Sequence, residues 1–179
     1  MGYSHSWEWN KRIADPLKFA RWCGDVIVLL AYYYKNPPAQ PTSDFLLDAL
    51  LITGNAQRDV TICGPGGDCH PIFRPDRVSF NGNRATKNEC EAFTIRATDL
   101  EHGCHSWCKT WANPYDLLVC AALVRFEHYF PQIKIQCGGG AAGLDAAAML
   151  NQMAFGEVRN PLRDPIYQKF VGYEPDEDD

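Results

Sequence analysis

Tyr3, His5, Trp7 and Trp9 alternate with Ser4, Ser6 and Glu8. A period of two that sets three large aromatic rings on one side predicts an extended strand with that side buried. His5 shares the aromatic side, so its imidazole must find a polar partner or change its charge state. The period then changes. Asp15 offers a capping oxygen, Pro16 suits a first helical position, and Phe19, Trp22, Cys23, Val26, Ile27, Leu30 and Tyr33 recur at three and four. This predicts a long core helix that stops near Asn36-Pro37-Pro38.

Further along, Asp44 to Thr53 reads as a short helix and Val60-Thr61-Ile62 as a brief strand running into Gly64-Pro65-Gly66-Gly67. Val78 and Phe80 alternate with Ser79 before the Asn81-Gly82-Asn83 turn, and Glu91, Phe93, Ile95 and Ala97 share one face of another strand. Asn113 and Pro114 then open a helix with Asp116 in its first turn, and Leu117, Cys120, Ala121 and Val124 form its inward stripe as far as Phe130-Pro131. Ile133 and Ile135 mark a last strand, and a glycine-rich loop leads into a helix from about Leu144 to Phe155. Strands and helices mixed without strict alternation predict an α+β fold, a mainly antiparallel sheet with helices on one face as a two-layer sandwich.

A chain of 179 residues is enough for one core, and the pattern predicts a single domain over residues 1–160 with a C-terminal segment, 161–179, ending in an acidic tail. Five acids in that tail account for the net charge of −5, leaving the body neutral. A neutral body without a basic run argues against nucleic-acid binding. The apolar run from Val26 to Tyr34 is too short to span a membrane. Eight cysteines without an apolar leader point to a reducing, cytoplasmic setting.

The chemistry concentrates between His102 and Asp116. Cys104, His105 and Cys108 supply thiolates and an imidazole of the kind tetrahedral zinc accepts, with Cys63, Cys69 and His70 as a poorly spaced second half; the expectation is free thiols around a packed loop and no cofactor, with zinc as the candidate exception. A disulfide between Cys63 and Cys69 is the oxidised alternative for that half. Cys108, next to Lys109 and just before a helix start, is also a candidate nucleophile, with His105 or His5 as base and Glu91 as orienting acid. Lys109 and Thr110 ahead of a helix N-terminus suit an anion. Cys23 and Cys120 lie on core stripes as small buried hydrophobes, and Asp116 reads as a helix cap. Gly138 to Gly143 fits the spacing of a dinucleotide loop, but without room downstream for a doubly wound sheet.

Met1-Gly2-Tyr3-Ser4-His5-Ser6-Trp7, Phe80-Asn81-Gly82, and Cys108-Lys109-Thr110 followed by Pro114-Tyr115-Asp116 together resemble an uncharacterised family of small bacterial, phage and fungal proteins. Cys90-Glu91-Ala92-Phe93 stands where that family has His-Glu-Thr-Phe, and Gly138 to Gly140 where it has Ser-Asp-Gly. The resemblance implies a shared outline and a polar set of His5, Asn81, Glu91, Cys108, Lys109 and Asp116, without an assigned reaction.

The expectation is a pocket for a small ligand or anion formed by the first strand, the Phe-Asn-Gly turn with Asn81, and the Cys-Lys-Thr loop with Lys109 and Thr110. Two rivals are a cysteine-dependent hydrolase or transferase using Cys108, and a phage- or virus-encoded structural or interaction protein without catalysis, whose neighbouring Trp107 and Trp111 meet a partner.

Overall fold

The structure, a computed structural model, describes residues 4–36, 60–138 and 140–156. The short helix expected at Asp44 to Thr53, Tyr3 and the C-terminal segment 161–179 lie outside the described residues. The elements follow in the order β1 (Ser4–Trp9), α1 (Pro16–Lys35), β2 (Ile72–Arg74), β3 (Arg77–Phe80), β4 (Phe93–Arg96), β5 (Cys104–Lys109), α2 (Asp116–Tyr129), β6 (Lys134–Cys137) and α3 (Gly140–Phe155), with short 3-10 turns on either side of β4. The fold is α+β, as the mixed periodicity predicts.

The strands form two antiparallel sheets rather than one. In the first, β1 lies between β5 and β6; in the second, β3 lies between β2 and β4. The alternation in β1 is real: His5, Trp7 and Trp9 are buried while Ser4 is exposed. β5 is a strand that the sequence presents only as a loop, because its inward residues Cys104, Ser106 and Cys108 are small and weakly apolar, while Trp107 faces out. Val60 to Ile62 forms no strand; Cys63 makes a single bridge to Asn81 instead.

In α1 the Asp15 side chain accepts the Lys18 N–H at 3.0 Å, and Pro16 stands in the first turn. Its buried stripe is Phe19, Trp22, Cys23, Val26, Leu29 and Tyr33, so Leu29 takes the inward position and Ile27 faces solvent. The reason is the partner: α1 packs on α2, and Trp22 donates its indole N–H to the Ala122 carbonyl at 3.0 Å, which fixes the helix rotation. α2 is buried from Leu118 to Glu127 because it also carries α3 on another side. Asn151 of α3 ties the two together through the Ala121 carbonyl, at 3.1 Å.

The Phe80-Asn81-Gly82 turn is a packing device. The Asn81 side-chain oxygen accepts the Gly82 and Cys90 N–H groups at 2.8 and 3.1 Å, while its amide nitrogen donates to the Pro65 and Cys90 carbonyls at 3.3 and 3.1 Å. Gly82 lets the chain pass against the Asn88 carbonyl, where an added Cβ would overlap backbone atoms. Gly82→Ala is therefore expected to destabilise the protein by about 2–3 kcal/mol, the upper range for forced overpacking, as measured by urea unfolding; an unchanged midpoint would show that the turn yields freely.

Candidate functional site

Polar residues converge where β1, β6 and α2 meet. The β1 register places His5 opposite Cys108 on one side and opposite Cys137 on the other. Directly opposed residues of antiparallel strands share a sheet face, so Cys108, His5 and Cys137 form one inward row. On α2, Asp116 and Cys120 are four residues apart and stack on one helix face. That face meets the row from below.

His5 is fully buried, and its Nε2 lies 2.6 Å from the Asp116 carboxylate. Thr110, also buried, donates its hydroxyl to the same carboxylate oxygen. The Cys120 sulfur lies 3.7 Å from His5 Nδ1 and 3.9 Å from Nε2. Among the described residues, His5, Cys120 and Cys137 are the group whose donor atoms all lie within 4.8 Å of one another. Cys120 is buried and Cys137, at the end of β6, is half-buried.

The electrostatics make the cluster one coupled unit. Burial alone would push His5 toward its neutral form, but hydrogen bonds with Asp116 and Cys137, and the negative charge on both, outweigh it and hold the imidazole at about 9. A hydrogen bond from the Cys120 thiol lowers Cys137 to about 6; burial opposes the shift, and the hydrogen bond and positive charge of His5 reinforce it. Cys120 moves well above the ordinary thiol value, first through its bond to Cys137 and then through burial.

Linkage gives this pair a definite effect on stability. His5, raised from 6.5 to about 9, contributes stability that is complete below 6.5 and is lost as pH rises through about 9. Cys137, lowered from 9.0 to about 6, contributes stability that is complete above 9.0 and is lost as pH falls through about 6. The two slopes oppose each other between those limits, so the pair adds little net pH dependence near neutrality.

Asp116 does not cap its helix. α2 begins at Asp116 after a turn in which the Asn113 N–H reaches the Thr110 carbonyl and the Asp116 N–H reaches the Asn113 carbonyl, at 3.0 and 2.8 Å. Two successive residues of this turn, Trp111 and Ala112, have positive φ, a costly conformation for side chains with a Cβ. The turn swings Thr110 and the Asp116 carboxylate toward His5.

The other expected residues go elsewhere. Cys108 is buried, donates its S–H to the Glu91 carbonyl at 3.2 Å, and is pushed up by that burial and then by the Glu91 charge, the opposite of an activated thiol. Glu91 lies outside β4 and is exposed, and its carboxylate accepts the Lys109 N–H at 2.9 Å. The Lys109 carbonyl accepts the Glu91 N–H as well, so Glu91 meets β5 on the edge away from β1 and His5. The Lys109 ammonium sits 4.4 Å above the Trp111 ring. Asn81 has both ends of its amide engaged in the turn, which leaves His5 and Thr110 as the members of the expected pocket that meet.

Cys104, His105 and Cys108 are not brought together. Along an extended strand they advance about 3.3 Å per residue, placing Cys104 and Cys108 about 13 Å apart, and exposed His105 points to the opposite face. The glycine loop after Cys137 follows a strand that pairs antiparallel with β1, not the parallel βαβ unit a dinucleotide fingerprint requires. Gly138 instead allows close passage of the Ser4 backbone, which a Cβ would strike.

Cys137 escaped the sequence reading because nothing local marks it. Its signal was the β1 alternation, which put His5 inside and so demanded a polar partner. Comparison with protein-family models, curated proteins and solved structures gives no match, so the reading of this site rests on its own geometry.

Proposed function

We propose that the protein binds a soft divalent cation, zinc by donor chemistry, through His5 Nδ1 and the Cys120 and Cys137 sulfurs. Two thiolates and an imidazole are the donor set zinc prefers, and three protein ligands leave a tetrahedral ion one position for water or a small substrate. The reading is therefore of a catalytic-type centre. Its carrying observation is the 2.6 Å contact of Asp116 with His5 Nε2 beside the 3.7 Å contact of Cys120 with His5 Nδ1.

The first contact supplies the carboxylate partner that ligating histidines ordinarily have on their second nitrogen, fixing the tautomer and ring plane. The second is close to the tetrahedral edge, about 3.6 Å from sulfur to nitrogen for ordinary zinc bond lengths; Nε2 is nearly as near at 3.9 Å, but Asp116 already holds it, which leaves Nδ1 for the ion. Two thiolates would neutralise the ion, which offsets the cost of burying it. The centre needs reduced thiols, in keeping with the cytoplasmic location expected from the cysteine content.

Metal content of the reduced protein is the direct test. One zinc per chain in a native mass spectrum after loading, with Cys120 and Cys137 both protected from alkylation, is the expected result. Reduced protein that takes up no zinc at micromolar concentration, or zinc that protects other cysteines, would overturn the proposal. Proton release is a second readout: near pH 7.5 metal-free His5 and Cys120 are protonated and Cys137 is not. Calorimetry in buffers of different ionisation enthalpy is thus expected to report about two protons released per ion, and tighter binding as pH rises.

A further inference from the structure

Of the eight cysteines, Cys120 and Cys137 are the two whose sulfurs lie within 4.8 Å of each other and of a histidine. They are unequal in access. Cys137 ends an edge strand and is half-buried, whereas Cys120 lies beneath it, buried on α2. Cys137 thus keeps some exposure where Cys120 keeps none, which makes it the nearer of the two to an oxidant from solvent, with the second sulfur beside it.

We propose that Cys137 and Cys120 are a peroxide-responsive dithiol, Cys137 the thiol that reacts with the peroxide and Cys120 the resolving one, whose closure to a disulfide removes two of the three donors of the cluster. The dithiol chemistry stands on its own, and only the release of an ion rests on the metal-centre reading.

The steps balance with a hydroperoxide as oxidant. The Cys137 thiolate sulfur attacks one oxygen of hydrogen peroxide; an S–O bond forms as the O–O bond breaks, and the departing hydroxide takes a proton from His5 and leaves as water. Cys120 passes its proton to His5 and attacks the sulfenic sulfur. The S–S bond forms, the S–O bond breaks, and the second hydroxide leaves as water with the proton that His5 returns. Two thiols and one peroxide become one disulfide and two waters. The sulfurs must close to about 2.05 Å, a movement of the two side chains between packed elements, since α2 and β6 are in contact.

The test uses full-length protein with an equivalent of hydrogen peroxide, in parallel on chelator-treated and zinc-loaded samples, followed by alkylation and tryptic mapping. Arg125 and Lys134 separate Cys120 from Cys137 into different peptides. The expected result in the chelator-treated protein is a reductant-sensitive Cys120–Cys137 cross-link with the other six cysteines still alkylatable. In Cys120→Ser, Cys137 is expected to stop at sulfenic or sulfinic acid, a readout that does not need the disulfide. In zinc-loaded protein, a metallochromic chelator is expected to record one zinc freed for every two thiols lost.

Overoxidised Cys137 without a cross-link in the wild type, or prior cross-linking of any other pair, would overturn the proposal. A cross-link in protein that never took up zinc sustains the dithiol and removes the metal centre. Zinc uptake without a cross-link does the reverse.

Discussion

Cys137→Ala is expected to weaken zinc binding on the order of a thousandfold, the size of one ligand's share, about a third, when the roughly 10–16 kcal/mol of structural zinc sites is taken as the scale. The residue lies at a strand end, half-buried, and β6 pairs with β1 through backbone hydrogen bonds, so the fold should survive the loss of its sulfur. Asp116→Asn is expected to cost less, about 10- to 100-fold, because the carboxylate orients the histidine without touching the ion. Cys69→Ala, at an exposed cysteine outside the cluster, should change nothing. Competition with a chelating dye measures all three. Thermal melting gives an independent check: zinc at a hundred times its dissociation constant is expected to stabilise the wild type by about 2.7 kcal/mol, and that increment should vanish in Cys137→Ala. Wild-type affinity retained in Cys137→Ala would remove this residue from the centre.

The largest effect on stability is expected at Phe126. Its ring lies 4.7 Å from that of Trp22, 4.8 Å from Phe130, 6.1 Å from Trp9 and 6.4 Å from Phe19. It thus joins α1, β1 and α2 at a fully buried point. Four large, stiff rings cannot collapse into the space a benzyl group leaves, so Phe126→Ala should cost about 3–5 kcal/mol, the range for large-to-small aromatic changes in cores. Chemical denaturation of the metal-free protein measures this directly; a loss below about 1 kcal/mol would mean that the cluster repacks. Phe126 shares α2 with Asp116 and Cys120, but its ring faces the aromatic cluster of Trp9, Phe19 and Trp22 rather than His5, so its effect should appear in stability and leave zinc affinity in the folded fraction intact.

These residues show how far local pattern reaches. Pro16 and the Asp15 cap placed the start of α1, Phe130-Pro131 placed the end of α2, and the β1 alternation put His5 inside. β5 was missed because cysteine and serine give a weak period-two signal. Leu29 displaced Leu30 because the rotation of α1 is set by what Trp22 meets on α2. Asp116 read as a cap because its spacing from Asn113 suits one; its actual role depends on the left-handed turn at Trp111 and Ala112, which no propensity favours.

By itself the sequence determined that this chain mixes helices and antiparallel strands, that β1 hides an aromatic face, and that His5 goes inside with a debt of hydrogen bonding. Those are consequences of short-range periodicity and of the cost of burying a polar ring. Only the tertiary structure decided who meets that need. His5 and Asp116 are 111 residues apart, and Cys120 and Cys137 come from different elements; which of eight cysteines face His5 follows from the register of β1 against β6 and the rotation of α2. Register and rotation are set by the packing of whole faces, and a face is not visible at any single residue.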